Sequence, residues 1–273
     1  MITVDGIILV ISCQKHIPTR LKEINLKEDY GNWKVINVIG DLFLDCDYKL
    51  EGNLMTIKCE DSYLHLFKKL VLSFKYLSEI FDIKEGILKC NDDLIFNENI
   101  LESFLKSPKK HKINDREYID IDYIGRTNYG FELGESTEHL INYYKNHPED
   151  LDNPQHNLKG VDIAKFSKYV QKEQKYIYGP LIYFSNKSCK ILINHMNNIN
   201  YNIHHYDKKS DSYPYGIDDV IIGYILISNN IEIMHSNYWY NDLDNLSLTE
   251  EDKNKYIALH TNKLQVFNHI CIN

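Results

Sequence analysis

Apolar runs of strand length and one clear helical stripe organise the first third of the chain. Ile7 to Ser12 and Trp33 to Ile39 are short apolar runs of strand type, and Leu54 to Lys58 alternates as a half-buried strand does. Leu66, Leu70, Phe74, Leu77 and Phe81 then recur at three- and four-residue spacing, with Val71 widening the stripe, which predicts an amphipathic helix. Asp61 or Ser62 is placed to be its N-cap. Gly86 restarts the chain as a strand that runs into Asn91-Asp92-Asp93 and resumes apolar at Leu94-Ile-Phe96. Strand, helix, strand in this order implies an α/β fold, with a mostly parallel central sheet flanked by helices and right-handed crossovers. Ligands of such sheets bind beyond the carboxyl ends of the strands, where Asp92 and Asp93 fall.

From Ser107 to Lys159 the pattern breaks. Charged and polar residues dominate and Pro108, Pro148 and Pro154 interrupt, so loops and short elements covering the site are expected. Order returns at Tyr176 to Phe184, followed by a helix capped by Ser185 or Asn186, and a last helix signal begins at Tyr215-Gly-Ile-Asp-Asp-Val220. No internal repeat or linker-like composition interrupts the 273 residues, a length that suits one large α/β domain or two small ones.

Composition narrows the class. With 43% hydrophobic residues, no apolar run of membrane-spanning length and no signal-peptide pattern, the chain reads as soluble, without a membrane span. A net charge of −8 argues against a nucleic-acid partner, which calls for a basic surface. Six scattered cysteines without a CxxC pair read as reduced core residues of an intracellular protein, not as a zinc site.

Five features could carry chemistry. Asp92 and Asp93 close a buried strand, and a buried carboxylate needs solvent, a cationic side chain or a metal. A divalent ion there could hold a diphosphate, although an ordinary turn with two exposed acids has the same sequence. Lys89, just before them, could neutralise an acid or a ligand phosphate. Asp218 and Asp219 open a helix: one can cap it, and the other is free to act as a base. His260 could ligate a metal and Lys263 reach a phosphate, or both could be surface residues. Tyr178-Gly179-Pro180 offers a close backbone approach and rings that stack on sugars, or simply a turn before a strand.

In this order the segments resemble the β-1,3-galactosyltransferase and Fringe-like glycosyltransferases, glycosyltransferase family 31. Glu60-Asp-Ser-Tyr-Leu-His-Leu-Phe-Lys-Lys69 is similar to the family's Asp-Ser-Tyr-x-Asn-Leu-x-x-Lys stretch, with His65 at the Asn position. Leu88-Lys-Cys-Asn-Asp-Asp-Leu-Ile-Phe-Asn97 resembles its Lys-x-Asp-Asp-Asp-x-Phe metal motif, with Asn91 at the first Asp. Tyr178 to Ser185 resembles the segment in which a glycine precedes Tyr-x-x-Ser, and Ile217-Asp-Asp-Val-Ile-Ile-Gly223 its Glu-Asp-Val-x-x-Gly motif. The resemblance spans about residues 7 to 235.

It implies a single GT-A-like, Rossmann-related domain: a nucleotide-sugar-binding half at 1–106, a variable insertion for the acceptor at 107–175, and an acceptor-side C-terminal half at 176–273. It also implies a UDP-sugar donor, Mn²⁺ (or Mg²⁺), inversion at the anomeric carbon, and a glycan or glycoprotein acceptor. Carried over by position, Asp93 is the principal metal ligand with Asp92 as helper, and Asn91 faces the nucleoside. Asp219 is the general base. His260 completes the metal site with His235 as the other choice, Lys263 lies near the diphosphate, and Arg20 near the donor. Lys89 is on the cofactor side; Tyr178, Gly179, Asp218 and Arg126, with Tyr129, are on the acceptor side. The family's Golgi anchor and paired cysteines are missing, which suits a cytoplasmic version used by a virus or microbe. Two alternatives stay open: a catalytically degenerate member binding glycans or nucleotides, and a metal-dependent phosphotransferase or nuclease built on Asp92, Asp93 and Asp219.

Overall fold

The computed structural model describes residues 1–113, 116–118, 120–128, 133–165, 175–198, 208–209, 211, 218–243, 245 and 248–261. β1 (Ile2–Ile11) leads through a 3-10 turn (Gln14–His16) to the short α1 (Arg20–Glu23). Then come β2 (Asp29–Tyr30), β3 (Trp33–Gly40), β4 (Tyr48–Glu51) and β5 (Leu54–Ile57). A second 3-10 turn (Tyr63–His65) opens α2 (Leu66–Ile80), followed by β6 (Phe81–Asn91), β7 (Leu94–Phe96) and α3 (Glu98–Leu105). The middle of the chain holds β8 (His111–Ile113), β9 (Arg116–Tyr118), β10 (Tyr123–Asn128), α4 (Leu133–Asn146) and α5 (Glu149–Asp152). β11 (Tyr176–Ser185), α6 (Asn186–Asn198) and α7 (Asp218–Ser228) follow. The last elements are β12 (Met234–His235), β13 (Tyr240–Asp242), α8 (Glu250–Lys253) and β14 (Ala258–His260).

The main sheet runs β12-β10-β11-β6-β1-β3-β5-β4, with β2 on β3. Its centre, β6-β1-β3-β5, is parallel throughout, as expected, and β11 joins β6 antiparallel. β1 is sealed on both faces: Ile7 and Leu9 enter one core, Ile8 and Val10 the other, and all four are fully buried. The first core is closed by Phe67, Phe74 and Leu77 of α2 with α6 and α7, which pack on one another. The second is closed by Leu101 of α3, Trp239 and the small sheet β13-β14-β7. Ser185 caps α6, its Oγ accepting from the Ser188 N–H. Among the described residues no helix is long and apolar enough to cross a membrane.

Several expectations need correction. α2 begins at Leu66 after His65, and Ser62 opens only the 3-10 turn before it. β6 starts at Phe81 directly from the helix, so Gly86 lies inside a strand. Gly86 has φ +152°, and a Cβ there would stand 2.3 Å from the Phe184 carbonyl oxygen; a close approach, not a restart, requires the glycine. The stretch after Ser107 holds more than the expected loops and short elements, because β10 enters the main sheet and α4 is a full helix. Its Leu140 and Tyr144 pack with Leu158 on Leu64, too few apolar positions to announce a helix in the sequence. Cys59, Cys90 and Cys189 are buried, whereas Cys46 is exposed and Cys13 only partly buried.

β11 carries a wide bulge. Between the pairings Gly125–Ile182 and Thr127–Ile177, β10 supplies Arg126 alone and β11 supplies Tyr178, Gly179, Pro180 and Leu181. The extra residues leave the β10 ladder and deliver Tyr178 and Gly179 to the carboxyl end of β6.

Asp61, expected as a helix cap, instead ties the other side of that end together. It is buried, accepts from Lys69 Nζ at 2.5 Å, and takes the backbone N–H groups of Gly40 (2.9 Å) and Gln14 (2.7 Å). Lys69 also donates to the Ser12 carbonyl at 2.8 Å, so α2 holds the ends of β1 and β3 in place. Lys69→Met, which strands the buried carboxylate, is expected to lower stability by about 3–5 kcal/mol, read from the urea midpoint. A loss within error would mean the tether contributes nothing.

Candidate functional site

Asp92 and Asp93 form the turn between β6 and β7. They are not alike. Asp92 is 4% exposed and saturated: its Oδ2 accepts from Ser12 Oγ (2.5 Å) and meets His16 Nδ1 (2.7 Å), while its Oδ1 accepts from Arg20 Nη1 (3.1 Å). Burial works to raise its pKa, but the His16 and Ser12 hydrogen bonds and the charges of His16 and Arg20 outweigh that and hold it below the usual carboxylate range. Burial likewise pulls the His16 pKa down, and Asp92 together with Cys13 reverses this, lifting it to about 9. His16 and Arg20 stand four residues apart and both reach this turn, and of the two only Arg20 is marked by the family resemblance.

Asp93 faces the cleft. Its Oδ2 accepts from Arg20 Nη1 at 3.2 Å and lies 3.4 Å from His260 Nε2, whereas its Oδ1 is buried and has no partner among the described residues. Arg20 Nε is also buried and unpaired. An orphaned acceptor and an orphaned donor on two residues in mutual contact mark a place built for a further ligand. His260 arrives through the β14–β7 ladder, which pairs it with Leu94, and Thr261 N–H donates to the Asp93 carbonyl at 3.0 Å. Its Nδ1 is held by Asp242 Oδ1 at 3.0 Å, the orienting contact that metal-binding histidines commonly have. Burial works against protonation of His260, but Asp93 and Asp242 prevail and raise its pKa. His235, the other choice, is committed elsewhere: Nδ1 faces the Thr127 N–H and hydroxyl, and Nε2 faces Asn237. Asp242, brought in by pairing of short strands, had no signal in the sequence.

These residues fit a divalent ion in part. Asp93 and His260 offer an oxygen and an imidazole nitrogen, with Asp93 Oδ1 unpartnered, while Asp92 is taken by its three donors. Among the described residues no group of three His, Cys, Asp or Glu side chains is gathered for a metal, so phosphate oxygens or water would complete the shell.

The second acid pair lies at the bulge. Asp219 Oδ2 accepts from the Gly179 N–H at 3.1 Å and its Oδ1 from the Val220 N–H at 2.8 Å. Burial first, then the neighbouring Asp218, pushes the Asp219 pKa up; Gly179, Val220 and Lys89 pull it back, leaving it at about 7. Gly223, a turn further along α7, has Tyr176 so near that a Cβ would come within 2.8 Å of the tyrosine Cβ, and this closeness sets α7 against β11. Lys89 is 3% exposed; its ammonium donates to Asn91 Oδ1 at 2.7 Å and to the Gly179 carbonyl oxygen.

Arg126 lies between the rings of Tyr178 (5.6 Å) and Tyr240 (5.3 Å), 3.9 Å from Asp242 Oδ2. Tyr63 joins the two acid pairs: burial raises its pKa, and the charges of Asp218, Asp219 and Asp93 add to that. It also stacks on Tyr143 of α4 at 5.3 Å. Lys263 and Tyr129 lie outside the described residues. An open groove beside Tyr30, Trp33 and Glu102 is at the amino ends of β1 and β3, away from these acids.

The His16–Asp92 pair has a predictable pH signature. Because the folded state raises the His16 pKa above its unfolded value near 6.5, the stability it contributes is complete below that value and is lost as pH climbs through about 9. The stability difference between wild type and His16→Gln should therefore be largest near pH 6 and shrink by pH 10, measured by urea unfolding. A difference that grew with pH would overturn the pairing.

Among solved structures, mouse xyloside xylosyltransferase 1 in its apo form is similar over 96% of this chain and 98% of its own, at 9% identity and a TM-score of 0.40. A galactosyltransferase, LgtC, solved with donor and acceptor sugar analogues, is similar over 94% of this chain and 87% of its own, at 9% identity and a TM-score of 0.37. Likeness at this level carries no argument about fold family or chemistry. No protein-family model and no curated protein matches the sequence.

Proposed function

We propose that the chain is an inverting, metal-dependent glycosyltransferase of GT-A type that moves a sugar from a UDP-sugar to a hydroxyl of a glycan or glycosylated acceptor. One observation carries the reading. Asp93, whose orphaned Oδ1 stands beside the orphaned Arg20 Nε, and Asp219, a carboxylate whose pKa is raised to about 7, both act electrostatically on Tyr63. An anion-and-cation site beside a tuned base is what displacement of a diphosphate by a hydroxyl requires.

Asp93 and His260 would hold a divalent ion such as Mn²⁺, which would supply charge neutralisation to a diphosphate leaving group. Asp242 fixes the ring of His260 so that Nε2 faces Asp93. Arg20, positioned by Asp92, has its Nε–H free for a phosphate oxygen. Asp219 takes the proton of the attacking hydroxyl, and the Gly179 and Val220 N–H groups keep its carboxylate oriented. Tyr178, Tyr240 and the Arg126 guanidinium between them form the acceptor side. α4 reaches the neighbourhood of the two acid pairs through Tyr143, which stacks on Tyr63. Lys263 is assigned to the diphosphate.

A nucleotide- or glycan-binding module without chemistry is the second reading, favoured by Asn91, which puts an amide in the acid turn. Titration of UDP with and without Mn²⁺, together with release of UDP from UDP-sugars, separates the two.

Asp219→Asn should lower turnover by about 10²–10⁴ and leave UDP affinity unchanged. Because a base works ionised, the wild-type rate should rise with pH through about 7. Full activity in Asp219→Asn, or a product with the donor's anomeric configuration, would sink the mechanism. Asp93→Asn and His260→Ala should each remove the Mn²⁺-dependent gain in UDP binding seen by calorimetry; a gain of wild-type size in both would discard this metal site.

A further inference from the structure

We infer that Lys89 is a positioning residue that acts on Asp219 through the Gly179 peptide, keeping the carboxylate ionised and aimed into the cleft. The inference rests on the role of Asp219 proposed above. Lys89 is 3% exposed, yet both of its hydrogen-bond acceptors, Asn91 Oδ1 and the Gly179 carbonyl oxygen, are neutral. A buried ammonium is costly without a compensating charge. The compensating carboxylate stands one peptide group away: the same Gly179 that accepts from Lys89 donates its N–H to Asp219 Oδ2 at 3.1 Å. With a cation on its oxygen and an anion on its nitrogen, that peptide is polarised in the sense that strengthens both bonds.

Asn91 gives the arrangement its sign. Its amide oxygen receives Lys89 at 2.7 Å without cancelling the charge, so the positive field extends to Asp219. A carboxylate at position 91 would form an ion pair with Lys89 and withdraw that field. The other described groups whose ionisation is linked to Asp219 have the opposite or no sign. Asp218 on the same helix is an anion, and Tyr63 before α2, Tyr123 on β10 and Tyr240 on β13 are neutral phenols; Lys89 is the cation of the set. Pro180, next in the bulge, has no N–H, so the Gly179 N–H is the donor the bulge presents to α7 there.

The test titrates Asp219 in the full chain without substrate, following its carboxyl ¹³C shift and assigning the signal with Asp219→Asn. Lys89→Met should move the titration upward by about one unit. The acid limb of kcat should move by the same amount, with KM for the UDP-sugar little changed. Lys89→Arg should restore most of the shift. Lys89→Gln, which removes the charge but keeps a polar end, makes the same test if the methionine variant does not fold. An unchanged titration in a folded Lys89→Met or Lys89→Gln protein overturns the inference. The titration needs no turnover, so it stands apart from the transferase reading: activity surviving in Asp219→Asn would end that reading while leaving the charge coupling measured.

Discussion

Four residues of β11 leave the β10 ladder, and their backbone groups still need partners. Side chains from three directions supply them. Lys89 takes the Gly179 carbonyl, Asp219 takes the Gly179 N–H, and Trp239 Nε1 donates to the Leu181 carbonyl at 2.7 Å. Satisfying the bulge therefore fixes where α7 begins, where β6 delivers its lysine and how the second core closes over Trp239. Two of these three, Asp219 and Lys89, are also the groups proposed to act in the reaction, so stability and function share their hydrogen bonds.

The two acid pairs reach the cleft by different physical routes. Asp92 belongs to the scaffold: three donors fix it, and in return it places Arg20. Asp93 and Asp219 are left incompletely compensated, one with an unpartnered oxygen and the other with a pKa pushed to about 7. A fold tolerates such groups where the surrounding ladders are rigid enough to prevent their collapse onto one another. β7–β14 on one side and β11–β6 on the other provide that rigidity.

How much of this was legible in the sequence follows from the range of each interaction. β1, α2 and the acid turn could be read because their signals are local: unbroken apolar runs and a three-to-four spacing whose residues are buried. His260 could be singled out only as a residue type, and what brings it to Asp93 is pairing between strands of three residues that have no periodicity to detect. Asp242 and Tyr240 were invisible for the same reason. Asp61 misled, since a polar residue before a helix looks like a cap whether it accepts from the helix or from a buried lysine. Asn91 marked a departure from a familiar pattern, but its meaning depends on Lys89, whose burial no local pattern discloses.

The β10–β11 pairing has a consequence for how this chain can change. Asn128 pairs with Tyr176, so the chain between them starts and ends on the same rung. Closing a longer or shorter excursion across a fixed rung alters the entropy only as the logarithm of its length. Its length can therefore vary without disturbing the strands beneath so long as Gln155 keeps its bonds to Leu42 and Asp61 and Leu140 and Tyr144 keep their packing on Leu64. Variation there offers new surface beside an unchanged sheet.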